Sequence, residues 1–112
     1  MMVSHVTTHV LDAVAGTPAS GIAVTLSRRG AEGWEAVAQG LTDADGRVKD
    51  LGPERLEPGV YQVRFDTGVY FARRSVPTFY PEVEIAFEVT GDDHYHVPLL
   101  LSPFAYSTYR GS

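Results

Sequence analysis

The sequence predicts an all-β sandwich carrying one short helix. Eleven glycines and seven prolines cut the 112 residues into short segments, and those segments are rich in Val, Tyr, Phe and Thr, which suit a pleated, half-buried surface. Inside the segments apolar and polar residues alternate with period two. About eight segments follow one another at the spacing of a two-sheet sandwich, and one helical candidate is too little for a β-α-β fold.

The first strand is expected from Ser4 to Asp12, with Val6, Thr8 and Val10 on one face and His5, Thr7, His9 and Leu11 on the other. Gly16-Thr17-Pro18 ends it. A second strand runs from Ile22 to Arg28, with Ile22, Val24 and Leu26 on its apolar side. Gly30 to Gly33 turns the chain into a third, Trp34 to Gln39. Asp45-Gly46 has the chemistry for a tight turn with positive φ, leading to a short strand, Arg47 to Lys49. The loop LGPERLEPG holds two prolines, and Val60 to Phe65 is the next strand. Thr67 to Arg74 is the helix, with Thr67 as its cap and Arg73 and Arg74 at the end where the helix dipole favours cations. VPTFYP breaks it. Val83 to Val89 sets Val83, Ile85, Phe87 and Val89 against acidic neighbours, so one of its faces is solvated. After Gly91-Asp92-Asp93 comes a hairpin, His94 to Leu101 and Phe104 to Arg110, joined at Ser102-Pro103.

Composition narrows the function. The length suits a single domain, residues 1–112. A net charge of −5 supplies no basic stripe to neutralise phosphates, so nucleic acid is not an expected partner. The absence of cysteine excludes disulfides, thiolate metal sites and a thiol nucleophile. No apolar run approaches the ~20 residues that span a bilayer, and the opening Met-Met-Val-Ser-His has no signal-peptide pattern. The expected location is cytoplasmic.

Alternation also sorts the chemically useful residues. Tyr95, Val97, Leu99 and Leu101 form the strongest apolar face of the hairpin and should point to the core. His94, His96, Pro98 and Leu100 then point outward, as do His5, Thr7 and His9 of the first strand, and Arg47 if Val48 is inward. In the last strand Ala105, Ser107 and Tyr109 are assigned outward, with Phe104, Tyr106 and Thr108 on the opposite face. If these strands share a sheet, its outer face mixes imidazoles, a guanidinium, hydroxyls and Leu11, Pro98 and Leu100, which suits a cleft or an interface better than plain surface. His94 and His96 share a face at i, i+2, yet no thiolate or carboxylate stands at matching spacing, so no metal is expected. Asp43, Asp45 and Gly46 have part of a calcium-loop pattern but lack its spacing and closing Glu. No GxSxG, Walker or dinucleotide fingerprint occurs.

HVLDAVAGTPA (9–19) and HYHVPLLLSPFAYSTYRGS (94–112) resemble the two signatures of the transthyretin-like family. The closing Tyr109-Arg110-Gly111-Ser112 resembles the tetrapeptide of its enzymatic branch, the 5-hydroxyisourate hydrolases. TDADGRV around Arg47, LEPGVYQVRFDTGVYF and FYPEVEIAF extend the likeness over essentially the whole chain. The resemblance implies a sandwich of two four-stranded sheets with one short helix, and a homotetramer built as a dimer of dimers with active sites at the dimer–dimer junction. It implies His9, Arg47, His96 and Ser112 as catalytic residues. His9, Arg47, Ser107, Thr108, Tyr109 and Arg110 are implied as substrate contacts, and Tyr109 as the group closing the channel. The implied reaction is hydrolysis of 5-hydroxyisourate, with no metal or organic cofactor. Charge complementarity adds an expectation that the Ser112 carboxylate anchors Arg47 or a histidine. The alternative is a carrier of a small aromatic ligand in the central channel, which would need no general base. His94, at the start of its strand, is expected near solvent and dispensable. His5, about 13 Å from His9 at normal strand rise, is expected to lie too far away to share its water.

Overall fold

The computed structural model describes residues 3–112; Met1 and Met2 lie outside them. The chain forms β1 (Val6–Asp12), β2 (Thr17–Pro18), β3 (Ala23–Gly30), β4 (Gly33–Leu41), β5 (Arg47–Val48), β6 (Gly59–Phe65), α1 (Thr67–Arg73), β7 (Val83–Val89), β8 (Tyr95–Ser102) and β9 (Ala105–Thr108). One sheet has the order β4-β3-β6-β7 and is antiparallel throughout. The other runs β2-β1-β8-β9, with β5 also paired to β1. The two-residue strands β5 and β2 follow one another along β1, at Thr8–His9 and at Leu11–Asp12. They therefore share one position, and this sheet too is four strands wide.

The inner faces are those the alternation selects. Val6, Val10, Leu99 and Leu101 are buried against Val24, Leu26, Val63 and Phe65 of the opposite sheet. At about 25 cal/mol per Å² of apolar surface removed from water, this packing is the main favourable contribution to folding. The helix joins the β1–β8 sheet through Tyr70, whose hydroxyl donates to Asp12 Oδ2 at 2.8 Å. Its N-terminus differs from the sequence expectation. Asp66 occupies the cap position without a side-chain cap bond, and Thr67 is a buried first-turn residue. Thr67 is already inside the helix and so is not its cap; its hydroxyl instead donates to the Tyr80 carbonyl at 2.8 Å.

His5 departs from its expected outward position. It precedes β1, where no ladder enforces alternation, and is only 4% exposed. The Leu56 N–H donates to its Nδ1 at 2.8 Å. Nε2 must then carry the proton, which it donates to the Asp93 carbonyl at 2.8 Å. Its ring meets Tyr95 edge-on at 5.4 Å. His5→Ala would leave the buried Leu56 N–H unpaired, remove the partner of the Asp93 carbonyl and open a void beside Tyr95. It is expected to cost about 2–4 kcal/mol in a urea melt, while kcat of the folded protein stays within about twofold of wild type.

Candidate active site

Two strand pairings assemble the site. β1 pairs β8 in parallel, bringing Thr7 beside His96, His9 beside Pro98 and Leu11 beside Leu100. On its other edge β1 pairs β5, bringing His9 beside Arg47. Paired residues share a face, so Thr7, His9, Arg47 and His96 all stand on the outer face of this sheet. β1 is the strand common to both pairs.

The turn before β5 is built to aim Arg47. Asp43 Oδ1 accepts the N–H groups of Asp45 at 2.9 Å and Arg47 at 3.0 Å. The Arg47 amide is the main cause holding the Asp43 carboxyl below its ordinary pKa, against the opposing effect of desolvation. The pattern that suggested part of a calcium loop is therefore a side-chain-closed turn. Gly46 sits at φ +76°, and a Cβ there would run into the Val10 carbonyl. That close approach lets the Val10 N–H donate to the Gly46 carbonyl at 2.7 Å, tying the turn to β1.

The end of the chain completes the site. β9 pairs β8 with Leu99 opposite Thr108, and the same register continues to His96 opposite Gly111, whose N–H donates to the His96 carbonyl at 2.9 Å. A side chain at Gly111 would collide with the His96 ring and press on Pro98. Glycine is thus the residue that lets the backbone pass this close to the imidazole. Continued through the gap, this register sets Tyr109 across from Pro98, on the outer face.

Arg47, His96 and Ser112 line one open cleft of about 580 Å³ with Thr7, Lys49 and His94. His9 is half-buried beside Arg47. Thr108, Tyr109 and Arg110 line a second cavity, of about 350 Å³, with Ile85, Phe87 and Tyr95. His96 borders both. The Arg110 guanidinium lies 4.7 Å over the Tyr95 ring. Ser107 is exposed and paired with Leu100 on the outer face. Within one chain the proposed substrate contacts therefore fall into separate groups. Ser112 shares the Arg47 cleft, but among the described residues no ion pair links them.

The His96 imidazole is held below its ordinary pKa. Burial, then the positive charge of Arg47, then His9 and His94 lower its pKa, and a hydrogen bond with the Thr7 backbone opposes them. A neutral imidazole facing a guanidinium combines a proton acceptor with a donor fork for a polarised oxygen. Thr7 carries no signal as a site residue in the sequence. Its hydroxyl lies 2.8 Å from both His94 Nε2 and His96 Nδ1, partners 87 and 89 residues away. Parity alone could only have placed it outward.

Comparison with known proteins matches this picture. The family model described as HIUase/Transthyretin family covers residues 6–111. The 5-hydroxyisourate hydrolase of Salmonella typhimurium is 48% identical over 106 residues, 93% of this chain and 78% of that protein. The structure of Klebsiella pneumoniae 5-hydroxyisourate hydrolase superposes with a TM-score of 0.86 at 39% identity, covering 96% of this chain and 92% of the other. Transthyretin from Sparus aurata gives 0.89 at 39% identity, covering 95% of each chain. The backbone is thus common to both kinds of relative, and side chains must separate them. With its two-sheet sandwich, its single short helix and a family match along nearly its whole length, this chain belongs to the HIUase/Transthyretin family.

Proposed function

We propose that this chain hydrolyses 5-hydroxyisourate. The observation that carries this reading is the meeting of His96 and Arg47 in one cleft, with His9 in register beside Arg47. His96, kept neutral, takes a proton from water as its oxygen bonds to a ring carbonyl carbon. The negative charge that develops on the carbonyl oxygen falls to Arg47. The cyclic C–N bond then breaks, the departing nitrogen receives a proton from the imidazole pair, and the new carboxylic acid ionises. His9 orients the water or supplies that proton. No metal or organic cofactor takes part.

The working assembly in this reading is a homotetramer, a dimer of dimers. The outer face of the β1–β8 sheet lies at the junction between dimers. Its partly exposed Leu11 and Leu100 support this, because apolar side chains on an otherwise polar sheet face favour an interface. Tyr109 and Ser107 of the terminal segments meeting there contact the planar ring, whereas Thr108, paired with Leu99, and Arg110, over the Tyr95 ring, sit on the core side and support that segment. A carrier reading keeps the fold but leaves the neutral imidazole beside a guanidinium without a task.

The test is to generate 5-hydroxyisourate in situ from urate with urate oxidase and follow its ultraviolet decay. Decay several-fold or more above the spontaneous rate supports the proposal, and an unchanged rate sinks it. Gel filtration should give a mass near four chains; a monomer would contradict the shared site.

A further inference from the structure

We propose that Thr7 and His94 form with His96 a proton relay that fixes the tautomer of His96 and drains its proton to solvent. This rests on the hydrolase reading above. The Thr7 hydroxyl lies 2.8 Å from His96 Nδ1 and 2.8 Å from His94 Nε2. A hydroxyl has one proton and two lone pairs; among the described residues the two imidazoles are the only hydrogen-bond partners of Thr7 Oγ1, so its proton goes to one of them and it accepts from the other. Two chains of bonds are possible. In one, His96 Nδ1–H donates to Thr7, which donates to His94 Nε2, and His96 Nε2 is left as a lone pair. In the other every bond is reversed and His96 Nε2 carries hydrogen.

The surroundings select the first. The charged and titratable groups around His96 are Arg47 on β5, Lys49 just beyond it, His9 on β1, His94 just before β8 and the terminal carboxylate of Ser112 in the same cleft, with Glu88, Tyr95, Tyr109 and Arg110 in the second cavity it borders; of these charges that of Arg47 acts most strongly on His96. Arg47 and Lys49 are donors only and carry positive charge, which favours a lone pair over an N–H on the remaining nitrogen. Thr7 is 7% exposed, so its hydroxyl cannot readily exchange these partners for water. His94 is exposed, and bulk water reaches the far end of the chain.

The proton count closes. Water gives one proton to His96 Nε2 and its oxygen bonds to the carbonyl carbon. His96 passes its Nδ1 proton to Thr7 Oγ1, and Thr7 passes its own to His94 Nε2. His94 releases a proton to solvent from its exposed side. His96 is left with Nε2–H, the form able to protonate the departing nitrogen. That transfer, with the relay run in reverse as His94 takes a proton back from solvent, restores the resting state, and the net proton of the reaction leaves from the new carboxylic acid. Thr7 and His94 are positioning residues, acting through His96 without touching substrate.

Imidazole nitrogen NMR on the wild-type protein at neutral pH should show His96 protonated at Nδ1 and not at Nε2, a preference lost in Thr7→Val. In the decay assay Thr7→Val should lower kcat about tenfold or more with KM within about twofold, and Thr7→Ser should recover most of the loss. His94→Gln should lower kcat similarly, and added free imidazole should restore it in a concentration-dependent way without accelerating wild type. The relay is overturned if wild-type His96 is the Nε2–H tautomer. It is equally overturned if Thr7→Val and His94→Gln turn over at the wild-type rate, if Thr7→Ser matches Thr7→Val, or if imidazole gives no rescue. A wild-type protein with the Nδ1–H tautomer but no hydrolase activity overturns the hydrolase reading and the relay's catalytic role, and the NMR signal distinguishes that from wrong relay geometry.

Discussion

His96→Ala is expected to lower kcat for 5-hydroxyisourate about 10²–10⁴-fold, the range for loss of a general base, with a much smaller change in KM. Among the described residues His96 is the imidazole that borders both cavities of the site and whose Nδ1 is already committed, to Thr7. Its protonation should also set the acid limb of the pH profile. A base works unprotonated. Burial, together with Arg47 and the neighbouring imidazoles, puts the His96 pKa below the ordinary 6.5. The rate should therefore be level at neutral pH and fall only as pH drops through a value below 6.5. His96→Asn separates chemistry from folding, since its amide can still donate to Thr7 but cannot take a proton. If His96→Asn melted like wild type and kept its turnover within threefold, His96 would not be the base.

Arg47→Ala is expected to cost about 10²–10³ in kcat, or about 3–4 kcal/mol of barrier, as for other oxyanion donors. Among the described residues no carboxylate forms an ion pair with Arg47, so its donors and charge are directed at the cleft. Arg47→Lys keeps the charge without the planar fork and should recover only part of the loss. A second readout tests the coupling to His96. The Arg47 charge disfavours imidazolium, so removing it should raise the His96 pKa and move the acid limb of Arg47→Ala to higher pH. Arg47→Lys should move it less. An acid limb unmoved in both variants would show that the two groups do not sense each other during turnover.

Period-two alternation was enough to place the inner faces of β1, β7 and β8, because each pairs along most of its length and has one face in the core. It misplaced His5 for the same reason. Beyond the last paired residue no pleat dictates direction, and loop groups at Leu56 and Asp93 captured the ring. The turn at Asp43–Gly46 was readable from its chemistry, though its purpose was not. Only the fold shows the Asp43 carboxylate holding the Arg47 amide.

By itself the sequence determined the sandwich, the outward placing of His9, His96 and Arg47, and the signature of the terminal segment. All of these are local patterns of side-chain period or motif. What the tertiary structure alone decided is who stands next to whom. The parallel pairing of β1 with β8 joins segments nearly 90 residues apart, and a period of two is blind to the choice of neighbouring strand. From that choice came the Thr7 contact with both His94 and His96, which no local pattern encodes. It gave His94, expected to be dispensable, a bonded place beside the site, and it moved His5 from the candidate surface into the core.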